Sequence, residues 1–338
     1  MFCRHSIVLL VSRLDEFVAQ ILRTSYEAFP ERLRGSAKTL SFDELLDARS
    51  IHDIFLRFAD KEIDRLLRQS QEEIIGYLDE QFKIGIKDQF SNYAAFLEVT
   101  ERRNLFVHTG GVVTPQYLDY YEKLKLPKDQ APKLGQHLEV LPAYYLKAAE
   151  MFIEIGLRIG QGVVRRLFPK ELAAADKSLN VFGFDLLVME KWDLARLVFE
   201  FAMGLPEKFV SSDQYRRMFL VNLAIACKWG SEPARMTKLL DSVDWSAAHP
   251  KFVLAQTVLR GDFETSATLM SAITPEMLTE NDFRTWPVFR DFRTSTEFAN
   301  AFKKLFGKDF VMQVVTEQLQ ASCAADQAAS RSVPPSIS

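Results

Sequence analysis

Apolar residues recur at intervals of three and four along most of this chain, and that period is the strongest constraint on its fold. Near the amino terminus, for example, the pattern runs through Leu14, Phe17, Val18, Ile21 and Leu22. An α-helix brings side chains three and four apart onto one face, so this spacing predicts amphipathic helices. Glycine (14) and proline (13) are sparse among the 338 residues and collect at a few boundaries. The sequence therefore predicts an all-α protein.

Capping residues and prolines mark the ends of the predicted helices. Ser41-Phe-Asp-Glu44 and Ser70-Gln-Glu-Glu73 have the form of a capping box, with a hydroxyl residue before the helix and a glutamate three residues later. The first helix is expected to start almost at the amino terminus and to end at Pro30. The predicted helices cover about 6–29, 42–68 with a break near 49–50, 71–82, 88–108 and 142–167, and the stretch 111–140 is expected to be irregular apart from a short strand over 137–140.

The pattern changes after Pro169. Small and large apolar residues then recur with a spacing in which Ala195, Ala234 and Ser266 occupy matching small positions, about 39 and 32 residues apart. A period near 34 with a small residue where two helices cross is typical of tetratricopeptide repeats, and this stretch resembles degenerate repeats of that kind. We therefore predict a helical domain over 1–168, a linker over 169–175, a repeat domain over 176–310 and a mostly disordered tail over 311–338.

Charge, cysteine content and hydropathy exclude several classes of protein. The chain has 42 basic and 45 acidic residues, a net charge of −3, and neither side of Phe168 is a basic module of the kind that binds nucleic acid by charge alone. Cys3, Cys227 and Cys323 are far apart and odd in number, which indicates neither a disulfide framework nor a metal knuckle. No apolar run is long enough to cross a bilayer. We expect no membrane association and a reducing cytoplasm as the location.

One segment carries chemical information: Glu101-Arg-Arg-Asn-Leu-Phe-Val-His108-Thr-Gly-Gly111. Arg103-Asn104, two apolar residues, Val107-His108 and a helix-ending glycine resemble the Arg-x4–6-His signature of the HEPN superfamily. Other features match more loosely: Ser12-Arg-Leu-Asp-Glu-Phe17 on the first helix, the helix starts at Ser41 and Ser70, and Tyr117-Leu118. The resemblance covers roughly residues 6–168. It implies a helical bundle and, as in many members, a metal-independent endoribonuclease.

Helical geometry limits how these residues can cooperate. At about 100° per residue, Asn104 and His108 lie about 40° apart, with Glu101 on the same strip. Arg103 lies about 140° from His108. A single straight helix therefore does not place Arg103 beside His108. Either the arginine side chain curls round, or the site is assembled from two chains.

The residue types suit cleavage of RNA by its own 2′-hydroxyl group. A neutral imidazole accepts a proton and an imidazolium returns one, whereas one histidine cannot readily do both at once. Arginine binds phosphate oxygens through a permanently charged planar fork. Arg103 and His108 are thus the candidate catalytic residues and Asn104 an assisting one, with Glu101 and Arg102 in supporting positions. The resemblance implies a homodimer across this helix that needs no metal or other cofactor.

These expectations give two alternative functions. In the first, the chain is an endoribonuclease with RNA as substrate, whose repeats bind a protein partner, and the resemblance implies a toxin or defence effector. In the second, it is a catalytically inactive adaptor that binds protein or RNA. His108 would then meet the last carbonyls of its helix, and Arg102 and Arg103 would pair with Glu98 and Glu101 on a solvated face. The near-neutral charge favours the adaptor. Arg165-Arg166 with Lys170 is either an RNA-backbone contact or an ordinary basic helix end.

Overall fold

The computed structural model describes residues 2–34 and 39–311, and over this part of the chain the protein is all-α. One isolated antiparallel bridge joins Val112 and His137, and no strand occurs among the described residues. The helices are α1 (Phe2–Ala28), α2 (Phe42–Leu46), α3 (Ile51–Leu67), α4 (Gln71–Phe82), α5 (Ile86–Gln89), α6 (Tyr93–His108), α7 (Pro115–Lys123), α8 (Pro142–Leu167), α9 (Leu172–Val188), α10 (Trp192–Gly204), α11 (Asp213–Trp229), α12 (Pro233–Asp241), α13 (Pro250–Arg260), α14 (Phe263–Met270), α15 (Glu280–Thr285) and α16 (Thr296–Phe306). None of the described helices is both long and apolar enough to traverse a membrane.

Both predicted capping boxes are present. The Ser41 hydroxyl accepts a hydrogen bond from the Glu44 amide at 3.2 Å, and the Glu44 carboxylate accepts one from the Ser41 amide at 2.7 Å. The same reciprocal bonds join Ser70 and Glu73 at 3.3 and 2.9 Å. The break predicted near 49–50 separates α2 from α3, and α4 and α8 have the bounds that the sequence predicts.

Three local predictions differ from the structure. The helix expected over 88–108 is interrupted, because Phe90 adopts an extended conformation that buries its ring 6.2 Å from Phe96, and α6 begins only at Tyr93. The stretch expected to be irregular contains α7, which starts with Thr114 as the capping residue and proline at the first helical position. The strand expected over 137–140 is reduced to the single bridge at His137.

The chain divides into two compact units, Met1–Leu223 and Ala224–Ser338. In the first unit, α1 buries a stripe at helical spacing and packs against α3, α6 and α8. That stripe consists of Ile7, Val11, Leu14, Val18 and Leu22. Helix α6 is enclosed on all sides at its start, where residues 96–100 are buried in succession, and its other end emerges at the surface. The core thus holds α6 firmly and leaves its carboxyl end accessible.

The linker expected over 169–175 is helical. A 3-10 turn covers Pro169–Glu171, and α9 starts at Leu172 and packs against α8 and α10 within the same unit. Across this junction, the fully buried Arg165 and Asp176 form an ion pair of 2.7 Å. Asp176 also accepts hydrogen bonds from the amide and hydroxyl of Ser211 at 2.7 and 2.6 Å. The division between the two compact units falls after Leu223.

Beyond the junction, helices follow one another with short turns, and two of the successive pairs pack closely, α9 with α10 and α13 with α14. The positions matched in the sequence are not equivalent, because Ala195 and Ser266 are fully buried whereas Ala234 is exposed. The second unit is closed by an aromatic core in which Phe283, Phe289, Phe292, Phe298 and Phe302 are all buried. The predicted tail lies outside the described residues from Met312 onward.

Candidate functional site

The carboxyl end of α6 is shaped by two glycines. Gly110 and Gly111 have φ values of +64° and +91°, which favour glycine. The amides of Thr109 and Gly111 both donate to the Leu105 carbonyl at 2.9 Å, and the Leu138 amide donates to the Gly111 carbonyl at 2.8 Å. A Cβ atom on Gly111 would lie 3.0 Å from the Phe106 ring. Backbone bonds therefore terminate the helix without any contribution from a histidine.

His108 is the last residue of α6, and its side chain is exposed. Within residues 2–34 and 39–311, no hydrogen bond, ion pair or ring contact involves the imidazole. The two residues that flank the turn, Val107 and Val112, are also solvent-exposed. The capping bond that an ordinary helix-end histidine would make is not observed in this region, and both ring nitrogens are accessible.

Arg103 is in the last two turns of α6, and its side chain extends towards α1. One terminal nitrogen donates to the Asn104 side-chain oxygen at 3.1 Å, and the other lies 3.4 Å from the Asp15 carboxylate. Gln71 of α4 donates to the second Asp15 oxygen. The Nε atom of Arg103 is buried and makes no hydrogen bond to a described residue. The Arg103 side chain as a whole is about one quarter exposed (26%).

Burial gives Asp15 an unusual titration. Desolvation raises the pKa of the Asp15 carboxyl above its ordinary value, and the Gln71 hydrogen bond and the Arg103 charge only partly oppose this rise. Asp15 lies among the buried apolar residues of α1, between Val11 and Val18. In the sequence, Asp15 can therefore be recognised as a carboxylate on an apolar helical stripe. It lies within Ser12–Phe17, a segment that also contributes to the HEPN resemblance.

The structure brings some of the predicted site residues together and separates others. Arg103 and Asn104 are hydrogen-bonded, but no contact joins Arg103 to His108 in the single chain, as the helical geometry anticipates. Glu101 is partly buried, and its charge helps to raise the pKa of Tyr120. It makes no hydrogen bond to His108 in the described part of the chain.

Arg102 belongs to a different cluster, which we call the Glu98 cluster. Its Nε atom donates to Glu98 at 2.8 Å, and its guanidinium stacks 4.1 Å from the Tyr144 ring centroid. Glu98 also accepts hydrogen bonds from the Tyr117 and Tyr144 hydroxyl groups, the latter at 2.9 Å. The pair expected on a solvated face is thus buried between α6, α7 and α8. Arg102 is therefore already paired with a buried carboxylate.

The charges in the Glu98 cluster stabilise one another. Desolvation lowers the pKa of Arg102, but Glu98, Tyr144 and Tyr117 outweigh it and raise that pKa overall. Burial, followed by the Glu98 charge, raises the pKa of the Tyr117 and Tyr144 phenols well above the ordinary value. Arg102 therefore stays charged, and the Tyr117 and Tyr144 phenols stay neutral, across the physiological pH range.

A second arginine and histidine lie near the end of α6, and sequence reasoning did not identify them. Arg4 of α1 contacts Nδ1 of His137 at 3.0 Å and the Gly110 carbonyl at 3.5 Å, and it lies over the Phe106 ring at 5.6 Å. These residues are remote in sequence, with no spacing pattern that joins them. Only the packing of α1 against α6 and the bridge at Val112 and His137 bring them to the turn.

Among residues 2–34 and 39–311, no group of three or more histidine, cysteine, aspartate or glutamate side chains is placed to hold a metal ion. The polar groups at the end of α6 are the imidazoles of His108 and His137, the guanidinium groups of Arg4 and Arg103, and the Asn104 amide. Such groups can bind an anion and move a proton. Comparison of the chain with protein-family models, curated proteins and solved structures finds no match.

Proposed function

We propose that this protein is a metal-independent endoribonuclease of the HEPN type, with His108 as proton-transfer residue and Arg103 as phosphate-binding residue. The single observation that carries the proposal is an accessible imidazole that has no partner within the described part of the chain, at a helix end that backbone bonds already terminate. Because backbone bonds already terminate the helix, His108 is not required as a cap, and its imidazole remains available for proton transfer.

The reaction would use the 2′-hydroxyl group of the substrate. His108 takes the proton from that hydroxyl, its oxygen attacks the adjacent phosphorus, and the bond from phosphorus to the 5′-oxygen breaks. The leaving oxygen takes a proton from an imidazolium, which leaves a 2′,3′-cyclic phosphate and a 5′-hydroxyl end. Arg103 offsets the charge that develops on the non-bridging oxygens, while Asp15 and Asn104 hold its side chain.

Two protons move in this reaction, and the separation of Arg103 from His108 in one chain favours a site made from two copies. A two-fold dimer across α6 would supply two imidazoles and two guanidinium groups to one cleft. The exposed Val107 and Val112 beside His108 supply apolar surface for such a contact. A cytoplasmic toxin or defence effector, controlled through a partner on the later helices, is the setting that the HEPN resemblance suggests.

The decisive test is cleavage of a mixed RNA pool in EDTA by wild type, His108→Ala and Arg103→Ala. We expect His108→Ala to lower the rate by roughly 10²–10⁴-fold, the range of general acid–base catalysis. Matched controls are His52→Ala, an exposed histidine on α3, and Arg23→Ala, whose exposed side chain pairs with Asp60 at 2.5 Å. Cleavage that survives in His108→Ala, or that is lost equally in the controls, contradicts the proposal.

Mixing the two inactive variants tests the shared site. If both copies contribute to one cleft, a mixture of His108→Ala and Arg103→Ala forms mixed dimers that keep one intact imidazole and one intact guanidinium. The single imidazole must then first accept the 2′-hydroxyl proton and afterwards return it to the leaving oxygen, so only partial recovery of RNA cleavage is expected, together with a 2′,3′-cyclic phosphate on the product. Two independent sites would leave the mixture as inactive as its components.

One observation favours the adaptor function instead. Arg103 is held by Asp15 and Asn104 and has a buried Nε atom, which is also what a purely structural arginine would show. An adaptor would cleave no RNA in any condition, and Arg103→Ala would destabilise the protein without altering an activity. The same cleavage experiment, read beside thermal unfolding of the variants, distinguishes the two functions.

A further inference from the structure

A cleft of about 560 Å³ lies between α8, α10 and the segment that joins α5 to α6. One face of α8 lines it with residues four apart in sequence: Glu150, Glu154, Arg158, Gly162 and Arg166. At 1.5 Å per residue, Glu150 and Arg166 lie about 24 Å apart along the helix, so the cleft is acidic at one end and basic at the other. Its volume is that of an ordinary small-molecule site.

Most charges in this cleft are already neutralised by a neighbour. Arg158 donates twice to Glu154, at 2.9 and 2.6 Å, and its guanidinium lies between the Phe90 and Phe201 rings. Arg196 of α10 pairs with Glu200 at 3.1 Å and with Asp193 at 3.6 Å. Two of the three arginines in the cleft are therefore paired with carboxylates.

Arg166 is the third arginine of the cleft. It donates to the Gly162 carbonyl at 3.2 Å and lies 4.8 Å from the Phe209 ring centroid, but it forms no ion pair within the described part of the chain. Its surroundings are apolar, and this burial lowers the pKa of its guanidinium. The Asp79 charge partly opposes this lowering of the Arg166 pKa, but Asp79 does not pair with Arg166. Its two carboxylate oxygens instead accept hydrogen bonds from the Ile86 and Lys87 amides, at 2.7 and 3.0 Å.

The fold holds this arginine in place. The preceding residue, Arg165, is buried against Asp176 and donates to the Phe209 carbonyl at 2.5 Å. The same Asp176 holds Ser211. The segment that presents the Phe209 ring to Arg166 is therefore anchored by a buried ion pair. A partly desolvated guanidinium on a rigid aromatic support is suited to bind an anion through its planar fork.

Polar side chains that have no partner in the described part of the chain lie further along the cleft. The side chains of Gln89, Ser91 and Asn92 line it, and none of them makes a hydrogen bond to another described residue. Phe90, within the same segment, contacts Arg158, which lies about 12 Å from Arg166 along α8. A nucleotide spans such a separation between its phosphate and the outer edge of its base, and amide and hydroxyl groups are able to pair with that edge.

We infer that this cleft binds a nucleoside monophosphate, with the phosphate on Arg166 and the base at the Gln89–Asn92 segment. The inference does not depend on the proposed ribonuclease function, since it uses none of the residues at the end of α6. Failure of either proposal leaves the other untouched.

Calorimetric titration of the full chain with AMP, GMP, CMP, UMP and inorganic phosphate tests the inference. We expect at least one nucleotide to bind more tightly than phosphate. Arg166→Ala should weaken that nucleotide roughly tenfold or more, with Arg166→Lys intermediate because it keeps the charge and loses the fork. Asn92→Ala should reduce discrimination between the bases and leave phosphate binding unchanged.

The matched control is Arg196→Lys, a change in the same cleft that keeps the positive charge beside Glu200 and Asp193, and we expect this variant to bind like wild type. Thermal unfolding of each variant shows whether the fold is intact. The inference is overturned if no nucleotide binds at millimolar concentration, if binding survives in Arg166→Ala, or if phosphate alone binds as tightly as every nucleotide.

Discussion

Two arginine doublets in the first unit show how differently neighbouring residues of one type are used. In Arg102-Arg103 and in Arg165-Arg166, the first member is buried in an ion pair, with Glu98 and with Asp176 respectively. The second member of each doublet, Arg103 or Arg166, is only partly buried. Successive helical residues point about 100° apart, so one faces the core while the other does not. The doublet as a sequence motif therefore says nothing about function until its helical phase is known.

Arg165 should be the most sensitive position for stability. Arg165→Ala leaves Asp176 buried without its cation, and loss of one partner of a buried pair costs about 3–5 kcal/mol. Arg166→Ala, its neighbour, should cost far less, because no carboxylate is left unpaired. Chemical denaturation of both variants measures the difference, and an equal loss in the two would break the contrast within this doublet.

Substitution in the Glu98 cluster should cause the second-largest loss in the free energy of unfolding. Arg102→Ala removes the cation from a buried carboxylate that still accepts two tyrosine hydroxyl groups, and we expect a loss of about 2–4 kcal/mol in the free energy of unfolding. Arg103→Ala should cost about 1 kcal/mol, since its pair with Asp15 is long and partly exposed. Denaturation curves for the two variants decide this, and a larger loss in Arg103→Ala would show that the wrong arginine has been assigned the structural role.

The contribution of Asp15, the partner of Arg103, to the free energy of unfolding should depend on pH. Because its pKa is raised in the folded state, the folded protein binds this proton more tightly than the unfolded chain does. The contribution of Asp15 to stability is therefore greatest at or below its ordinary pKa of 3.8 and falls as the pH rises through the higher folded value. The unfolding free energy of wild type minus that of Asp15→Asn should decline over that window. A difference that grows with pH would mean that the Arg103 charge dominates after all.

His108 should show the smallest effect on stability. An exposed side chain without partners contributes little, so His108→Ala should change the free energy of unfolding by less than about 0.5 kcal/mol. Thermal unfolding of His108→Ala beside His52→Ala measures this directly. A clear destabilisation specific to His108 would reveal a structural contact and would weaken the argument that the imidazole is reserved for chemistry.

The two kinds of site residue differed in how far the sequence could identify them. His108 and its helix end follow from a local pattern, a helix stopped by two glycines. Asp15, Arg4 and His137 reach the same region from distant parts of the chain, and no local pattern predicts the distances that join them to α6. The interruption at Phe90 had a similar cause, because a buried ring contact outweighed the helical propensity of the residues around it.

The sequence by itself determined the all-α fold, both capping boxes, the break before α3, and the bounds of α4 and α8. Each depends on interactions within a few residues, so the period of the apolar residues and the capping side chains are sufficient to specify it. Only the tertiary structure decided which arginine of each doublet is buried, that the expected linker is helical, and that Ala234 is exposed while Ala195 and Ser266 are buried. Burial and ion pairing depend on which distant helices pack together, and the order of residues along one helix carries no information about that choice.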